Sequence, residues 1–172
     1  YGAVQLSPDT RKGNWDACSG YHYSDSTLMG FSHTHLSGTG CIDLGDILFR
    51  PSLQTPLAFS HSDEKASPGY YSVNLREAGV LAELTTTPHV GIHRYTYKKG
   101  IESTLVVDMD HLLDNEYIYE GWVKQTGENE LTGMRRTRGW VDNQYVFFVA
   151  QFSQPFSSME QPSERQAVLT FD

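Results

Sequence analysis

Several features are scarce in this sequence of 172 residues, and each scarcity excludes a class of protein. Two cysteines are too few to form a disulfide scaffold or, by themselves, a structural zinc site. The 13 Lys and Arg residues against 21 Asp and Glu give a net charge of −8 with no basic run, which argues against sequence-independent binding to nucleic acid. The apolar runs are only a few residues long, well under the roughly 18 that cross a bilayer, so no membrane span is predicted.

What the sequence does contain is typical of one folded domain. Aromatic residues make up 12% of the chain and supply the large apolar groups that disordered chains lack. The length lies within the roughly 100–200 residues of a single domain, so we predict one domain over residues 1–172. Because the chain begins at Tyr1 without a methionine, and because residues 167–172 resemble the beginning of a strand, we expect a piece of a longer protein.

The chain divides into two parts that differ in composition and in hydrophobic pattern. Residues 1–69 are rich in Ser, Thr, Gly, Asp and His and indicate short strands joined by long ordered loops, whereas residues 70–172 indicate an antiparallel meander. The meander is predicted from runs of β-branched and aromatic residues with a period of two. These runs are 70–75, 80–86, 90–98, 105–109, 117–123, 131–138 and 145–152. The pattern predicts an all-β, antiparallel β-sandwich.

Three details of this prediction concern particular segments. Only 109–115 and 158–166 have a composition compatible with a helix. The run from Tyr145 to Phe152 is apolar at nearly every position, so a buried strand is predicted there. The basic residues of 135–138 are expected to be solvated at a strand end, from which they could face an acidic partner surface.

The densest group of chemically functional side chains lies in the loop-rich first part of the chain. His33 and His35 could bind a transition metal together with a third ligand, but a hydrogen-bonded pair within the loop is favoured. Asp43 and Asp46 lack the spacing of a calcium-binding loop. No G-x-S-x-G elbow is present, so nucleophilic catalysis is not predicted. The two cysteines are expected to be independent buried thiols.

A sugar-binding surface accounts for more of these residues at once. Sugars offer apolar faces that pack on flat aromatic rings, and hydroxyl groups that need several fixed polar partners. The candidate rings are Trp15, Tyr21 and Tyr23, and the candidate polar partners are Asp16, His22, His33 and His35. Ordinary burial in a sandwich core is the alternative for the aromatic residues.

Several strings of residues resemble a known family. They are W-D-A-C-S-G-Y-H-Y-S-D from Trp15 to Asp25, G-F-S-H-T-H-L-S-G-T-G-C-I-D-L-G-D-I-L from Gly30 to Leu48, H-S-D-E-K-A-S-P-G-Y-Y from His61 to Tyr71, and the later R-G-W at 138–140. In this order they resemble the amino-terminal β-sandwich domain, of the supersandwich type, of glycoside hydrolase family 92.

The resemblance implies a function and a set of partners. Members of the family are calcium-dependent, inverting exo-α-mannosidases in which this domain precedes a helical (α/α) barrel that carries most of the catalytic and calcium-binding residues. The domain itself is then expected to hold no catalytic or metal-binding residue, to contact an α-mannoside glycan and to dock on the barrel, in a secreted, periplasmic or cell-surface enzyme. A self-contained carbohydrate-binding or protein-interaction sandwich is the alternative.

The resemblance also assigns a role to one residue. Trp15 is expected to contact the sugar next to the terminal mannose. The sugar-binding hypothesis adds Asp16 and His22 as polar partners of the glycan. His33 and His35 are expected to line the pocket or the domain interface.

Overall fold

The computed structural model describes residues 3–38, 40–114 and 116–172. Within these ranges the chain forms short antiparallel strands and two 3-10 turns, Trp15–Ala17 and His61–Asp63. The strands are β1 Ser7–Asp9, β2 Thr27–Leu28, β3 Gly30–Ser32, β4 Leu48–Arg50, β5 Leu57–Ala58, β6 Glu64–Ser67, β7 Tyr70–Leu75, β8 Val80–Thr86, β9 Gly91–Tyr97, β10 Ser103–Asp108, β11 Tyr117–Gly127, β12 Glu130–Arg138, β13 Gln144–Gln151, β14 Ser158–Ser163 and β15 Gln166–Phe171. The predicted all-β antiparallel fold is confirmed.

The strands form four sheets. A six-stranded sheet has the order β1-β3-β4-β10-β15-β14, a four-stranded sheet the order β6-β7-β8-β9, and a three-stranded sheet the order β11-β12-β13, while β2 pairs with β5. The four-stranded and the three-stranded sheets are meanders of consecutive hairpins, as predicted. They correspond to the sequence runs with a period of two, because that period places one face of each strand toward a core.

Residues 158–166, whose composition is compatible with a helix, contain a strand instead. This segment forms strand β14, and Met159 pairs with Leu169 of β15 while packing against the core. Pro162 is tolerated because β14 lies at the edge of its sheet, where a missing N–H costs no ladder hydrogen bond. The other candidate stretch, 109–114, belongs to a loop, and Asn115 lies outside the described residues.

Two hydrophobic cores hold the sheets together. The first packs the inner face of the four-stranded sheet against β2, β5 and Phe31. The second lies between the six-stranded and three-stranded sheets and includes Phe49, Val107 and Leu131. Strand β9 shows the predicted alternation. Tyr95 and Tyr97 pack against the first core, and the residues of the opposite face, Ile92, Arg94 and Thr96, are exposed.

The outer face of the three-stranded sheet differs from the prediction of a buried strand. Along β13, Tyr145, Phe147 and Val149 are exposed by 51%, 70% and 65%, whereas Val146 and Phe148 pack against the second core. Burial within the domain therefore accounts for the apolar residues on only one face of β13. The described residues place no layer over the other face.

Candidate functional site

Four loops meet at one end of the sheets, which we call the loop end. Their described residues are 10–26, 33–38 with 40–47, 109–114 with 116, and 139–143. The N–H of Gly13 donates to the carbonyl oxygen of Leu113 at 2.8 Å. The side chain of Leu113 lies against Gly45, and the N–H of Trp140 donates to the carboxylate of Asp43. These contacts bring the polar segment singled out from the sequence together with two loops that follow much later in the chain.

Trp15 lies on a 3-10 turn that fixes its backbone and leaves its ring exposed. The side chain of Asn14 accepts a hydrogen bond from the N–H of Asp16 at 3.0 Å, and the thiol of Cys18 donates to the carbonyl oxygen of Trp15 at 2.8 Å. Trp15 is 72% exposed. Its ring lies over Gly40, where a Cβ atom would stand 2.5 Å from the ring and where φ is +74°. Both the ring and the backbone conformation therefore favour glycine at position 40.

Asp16 and His22 lie in a network centred on Arg11. The Arg11 guanidinium lies 3.3 Å from the Asp16 carboxylate and donates from Nε to Asp25 at 2.7 Å. The hydrogen bond from Arg11 lowers the pKa of Asp25 to about 2. Nδ1 of His22 accepts the N–H of Ser24 at 3.2 Å. The network thus places the carboxylates of Asp16 and Asp25 and the imidazole of His22 beside the tryptophan turn.

His35 is buried and ion-paired. Its Nδ1 donates to the Gln5 carbonyl oxygen at 2.9 Å and its Nε2 donates to Asp9 Oδ1 at 2.7 Å, so both nitrogens carry hydrogen. The other carboxylate oxygen of Asp9 lies 2.7 Å from His111 Nε2. Burial by itself opposes charge, but the hydrogen bond and charge of Asp9 raise the pKa of His35, and the two histidines hold the pKa of Asp9 well below its usual range.

His33 belongs to a separate, partly buried chain of hydrogen bonds that runs in one direction. Its Nδ1 donates to the Ile47 carbonyl oxygen at 2.6 Å. In the neutral ring its Nε2 must then accept, so His93 Nε2 donates to it at 2.9 Å. Nδ1 of His93 in turn accepts from the Tyr95 hydroxyl at 2.7 Å. Burial lowers the pKa of both histidines, which agrees with two neutral rings.

Arg135 is fully buried, contrary to the prediction of a solvated strand end. Its guanidinium lies 2.6 Å from Asp46 Oδ1, and its Nη1 donates to the Met109 carbonyl oxygen at 3.1 Å. The second oxygen of Asp46 accepts from Thr34 at 2.7 Å and from Gln144 at 2.9 Å. The ion pair therefore ties β12, β13 and two loops of the loop end together.

Asp43 holds the turn that carries Trp140. Its carboxylate accepts hydrogen bonds from the backbone N–H groups of Leu44, at 2.8 Å, and of Trp140. A Cβ atom at Gly139 would collide with this carboxylate. Trp140 itself is 64% exposed. The arrangement repeats that of Trp15, in which a fixed backbone presents a free indole ring.

The carboxylates of the loop do not fit a calcium site. Asp43 is occupied by two backbone donors and Asp46 by Arg135, whereas calcium needs six to eight oxygen ligands. Over residues 3–38, 40–114 and 116–172, no three His, Cys, Asp or Glu side chains are arranged to hold a metal ion. Two surface hollows, of about 310 and 370 Å³, lie elsewhere, along β6, β7 and β8.

A comparison with protein-family models decides the family. Residues 1–168 match the model of the glycosyl hydrolase family 92 N-terminal domain. The chain belongs to glycoside hydrolase family 92. The resemblance seen in the sequence strings is thereby confirmed.

Solved structures and a curated relative agree with this assignment. The domain superposes on a family 92 α-mannosidase from Bacteroides thetaiotaomicron with a TM-score of 0.89 and 33% identity, over 99% of this chain and 28% of that chain. A second structure of that enzyme, in complex with mannoimidazole, gives the same score and identity over 27% of its chain. An uncharacterized secreted glycosidase of Arthroderma benhamiae is 27% identical over 56% of this chain and 15% of its own length.

The family 92 domain thus spans little more than a quarter of the solved enzymes that it matches. Among its described residues, no helix is long and apolar enough to cross a membrane. Its two cysteines are thiols, of which Cys18 is buried as expected, whereas Cys41 is only partly buried.

The structure separates the five residues predicted to bind sugar. Trp15 and Asp16 are exposed at the loop end and His22 is half-buried, whereas His35 is buried and His33 half-buried, with both of these rings hydrogen-bonded to protein groups. The sugar-binding role of all five stays a prediction. Trp140 was missed, although the R-G-W string was part of the resemblance and its glycine was a signal of a tight turn.

Proposed function

We propose that this family 92 domain belongs to an exo-acting α-mannosidase and supplies the Trp15 side of its glycan-binding cleft. The observation that carries the proposal is the 72% exposed ring of Trp15, which lies over Gly40 on a turn whose backbone is fixed by two side-chain hydrogen bonds, in a fold shared with a solved α-mannosidase. A ring that is held in place before binding loses little entropy when a sugar packs on it.

The chemistry of the contact follows from the residues beside the ring. The apolar C–H face of a sugar packs on the indole, and its hydroxyl groups donate to the Asp16 carboxylate or bond to the His22 imidazole. Arg11 keeps Asp16 in place through their 3.3 Å contact. His33 and His35 act by holding the loop 33–47, since their ring nitrogens bond to protein partners.

Inversion and calcium dependence are expectations that come with the family resemblance. An inverting glycosidase needs a carboxylic acid and a carboxylate about 6.5–9.5 Å apart, one to protonate the leaving oxygen and one to activate water. Calcium, when bound, supplies a cation that grips sugar hydroxyl groups. We expect both sets of residues in the parent polypeptide outside this chain, because Asp9, Asp16, Asp43 and Asp46 bond to histidine, arginine or backbone donors.

Kinetics of the parent enzyme test the proposal. The Trp15→Ala variant should raise KM for an α-mannobiose substrate about tenfold, because one aromatic contact is lost. Ile92→Ala is the matched control, since Ile92 is 48% exposed on the outer face of β9. Unchanged kinetics in the Trp15 variant would contradict the proposed role of this residue.

A second assay compares the parent enzyme with the 172-residue chain alone. On an aryl α-mannoside, we expect turnover by the parent that a calcium chelator abolishes, and none by the chain. Calorimetry should show only millimolar or weaker binding of α-mannobiose to the chain alone, equivalent to about −4 kcal/mol or less in magnitude. Turnover or tight binding by the chain alone would support a self-contained module instead.

We also propose that further polypeptide of the parent, the helical barrel included, covers the outer face of the three-stranded sheet. The chain spans 28% of its solved relative, so most of such an enzyme lies outside it. The face is apolar with two ordered cations: Lys124 lies 4.9 Å from the Trp122 ring centroid, and Arg136 lies 4.7 Å from that of Tyr119. It suits a partner surface that is apolar and acidic.

The outer face of the four-stranded sheet is a control surface for the outer face of the three-stranded sheet, which is proposed to be covered. The outer face of the four-stranded sheet is polar, and there Arg94 donates to Glu83 at 2.6 Å. In the parent enzyme, Phe147→Asp should lower the melting temperature by several degrees, because a charge would be buried against the partner. Ile92→Asp should leave it unchanged, and equal effects of the two variants would contradict the covered face.

A further inference from the structure

Trp140 is an exposed aromatic residue with an unusually well-built support. Its turn is fixed by the Asp43 carboxylate, which accepts the Trp140 N–H and fills the space where Gly139 would otherwise carry a Cβ atom. Asp43 is 4% exposed, whereas Trp140 is 64% exposed. A buried carboxylate thus serves to hold the backbone beneath a ring that projects from the turn.

The residues that contact Trp15 and Trp140 lie on the same short segment of the chain, 40–43. Gly40 lies under the Trp15 ring, and Asp43 holds the Trp140 turn. Gly40 and Asp43 are three residues apart, and an extended chain covers at most about 11 Å over three residues. The supports of the two rings are therefore at most about 11 Å apart.

The position of Trp140 also distinguishes it from the aromatic residues of the sheet face. Tyr145 and Phe147 lie two positions apart on the same face of β13, as residues of an apolar sheet face do. Trp140 instead lies in the turn between β12 and β13, at the loop end that also carries Trp15, Asp16 and the charged network of Arg11. A tryptophan among fixed polar groups is the composition of a sugar subsite.

We propose that Trp140 is a second aromatic contact for the glycan, which packs on the sugar that follows the one contacted by Trp15, further from the cleaved bond. This inference rests on the proposed function of Trp15. The two rings would then contact two consecutive sugars of the leaving group, and the enzyme would gain binding energy from a third mannose unit. The ligand class is an α-linked manno-oligosaccharide of three or more units.

The test compares α-mannotriose with α-mannobiose as substrates of the full-length parent enzyme and its Trp140→Ala variant. The unmodified enzyme should show a lower KM for the trisaccharide. Trp140→Ala should raise KM for the trisaccharide about tenfold and leave KM for the disaccharide within about twofold. Trp140→Phe should restore part of the difference, because the smaller ring still stacks. Ile92→Ala is the control and should leave both values unchanged.

The outcomes separate this inference from the proposed function. Trp15→Ala should raise KM for both substrates, and if it does so while Trp140→Ala leaves the ratio of the two values unchanged, the Trp140 subsite is overturned and the function of Trp15 stands. A Trp140→Ala variant that raises both KM values equally and lowers the melting temperature also overturns the inference, since Trp140 is then a packing residue between domains. An enzyme that does not distinguish the two substrates overturns it as well.

Discussion

The polar segment from Trp15 to Asp46 divides into two regions of opposite character. The rim consists of the exposed Trp15 and Asp16 and the half-buried His22, and the interior consists of the buried His35 and Asp46 and the half-buried His33 with their partners. At the rim the Trp15 ring is exposed, while Asp16 contacts Arg11 and His22 accepts a hydrogen bond from the Ser24 N–H. Interior groups are fixed by side-chain hydrogen bonds to distant parts of the chain.

The interior shows why the segment is so rich in polar residues. Long loops that are buried must satisfy their backbone groups without a sheet ladder, and side chains do this here. His33 donates to the Ile47 carbonyl oxygen, His35 to that of Gln5, and Thr34 accepts the N–H of Asp46 at 2.9 Å. A dense polar motif is therefore in part a structural requirement, and changes in the interior should act on stability while changes in the rim act on binding.

The largest effect is expected from removal of the buried counterion. Asp46→Ala leaves the Arg135 guanidinium buried and uncompensated, which should lower the free energy of unfolding by about 3–5 kcal/mol. Asp16→Ala removes a partly exposed partner of Arg11 and should cost less than about 1 kcal/mol. Urea denaturation of both variants measures the difference, and similar losses would remove the distinction between rim and interior.

A smaller effect is expected from Tyr95→Phe. The hydroxyl is the donor to His93 Nδ1, and the chain of hydrogen bonds cannot reverse because the Ile47 carbonyl oxygen only accepts. One buried ring nitrogen then has no donor, which should cost about 1–3 kcal/mol. Tyr23→Phe is the control, because Tyr23 is 70% exposed, and it should change stability by less than about 0.5 kcal/mol. Equal stability of Tyr95→Phe and the unmodified protein would show that the chain of hydrogen bonds is not maintained.

The two interior histidines should respond to pH in opposite senses. The pKa of His33 is lowered, as is that of His93, so unfolding takes up protons and the free energy of unfolding falls as the pH drops from about 6.5 toward their folded pKa values. The pKa of His35 is raised, so its stabilisation is complete below about 6.5 and is lost as the pH rises through its folded pKa.

Nitrogen NMR measures these protonation states directly. At pH 6.5 we expect His33 as the neutral Nδ1–H tautomer and His35 as the imidazolium. Two rings that titrate together near pH 6.5 would contradict the assignment.

The smallest effect on stability is expected at the rim. Trp15→Ala should change the free energy of unfolding by less than about 0.5 kcal/mol, because its ring is largely exposed and the turn is held by Asn14 and Cys18. Thermal unfolding of the variant measures this change. A loss of several kcal/mol would place Trp15 in the structural interior rather than in the binding rim.

Part of the fold could be predicted from the period-two pattern. Strands β7 and β8 have the predicted bounds, and β9 places Tyr95 and Tyr97 on the predicted common face, because local alternation reflects burial on one side of a sheet. The pattern failed for β13, where apolar residues on both faces predicted full burial. It failed for 158–166 as well, because short polar edge strands have no alternation strong enough to oppose a helical composition.

The sequence by itself determined the antiparallel meanders and the family resemblance, since each depends on neighbouring residues. Tertiary structure alone decided which polar groups are buried and which carry a proton. Asp46 meets Arg135 over 89 positions, Trp140 meets Asp43 over 97, and Asp9 meets His111 over 102. The charge of a buried group depends on the partners that replace its water, and these partners come from distant segments that no local pattern relates to one another.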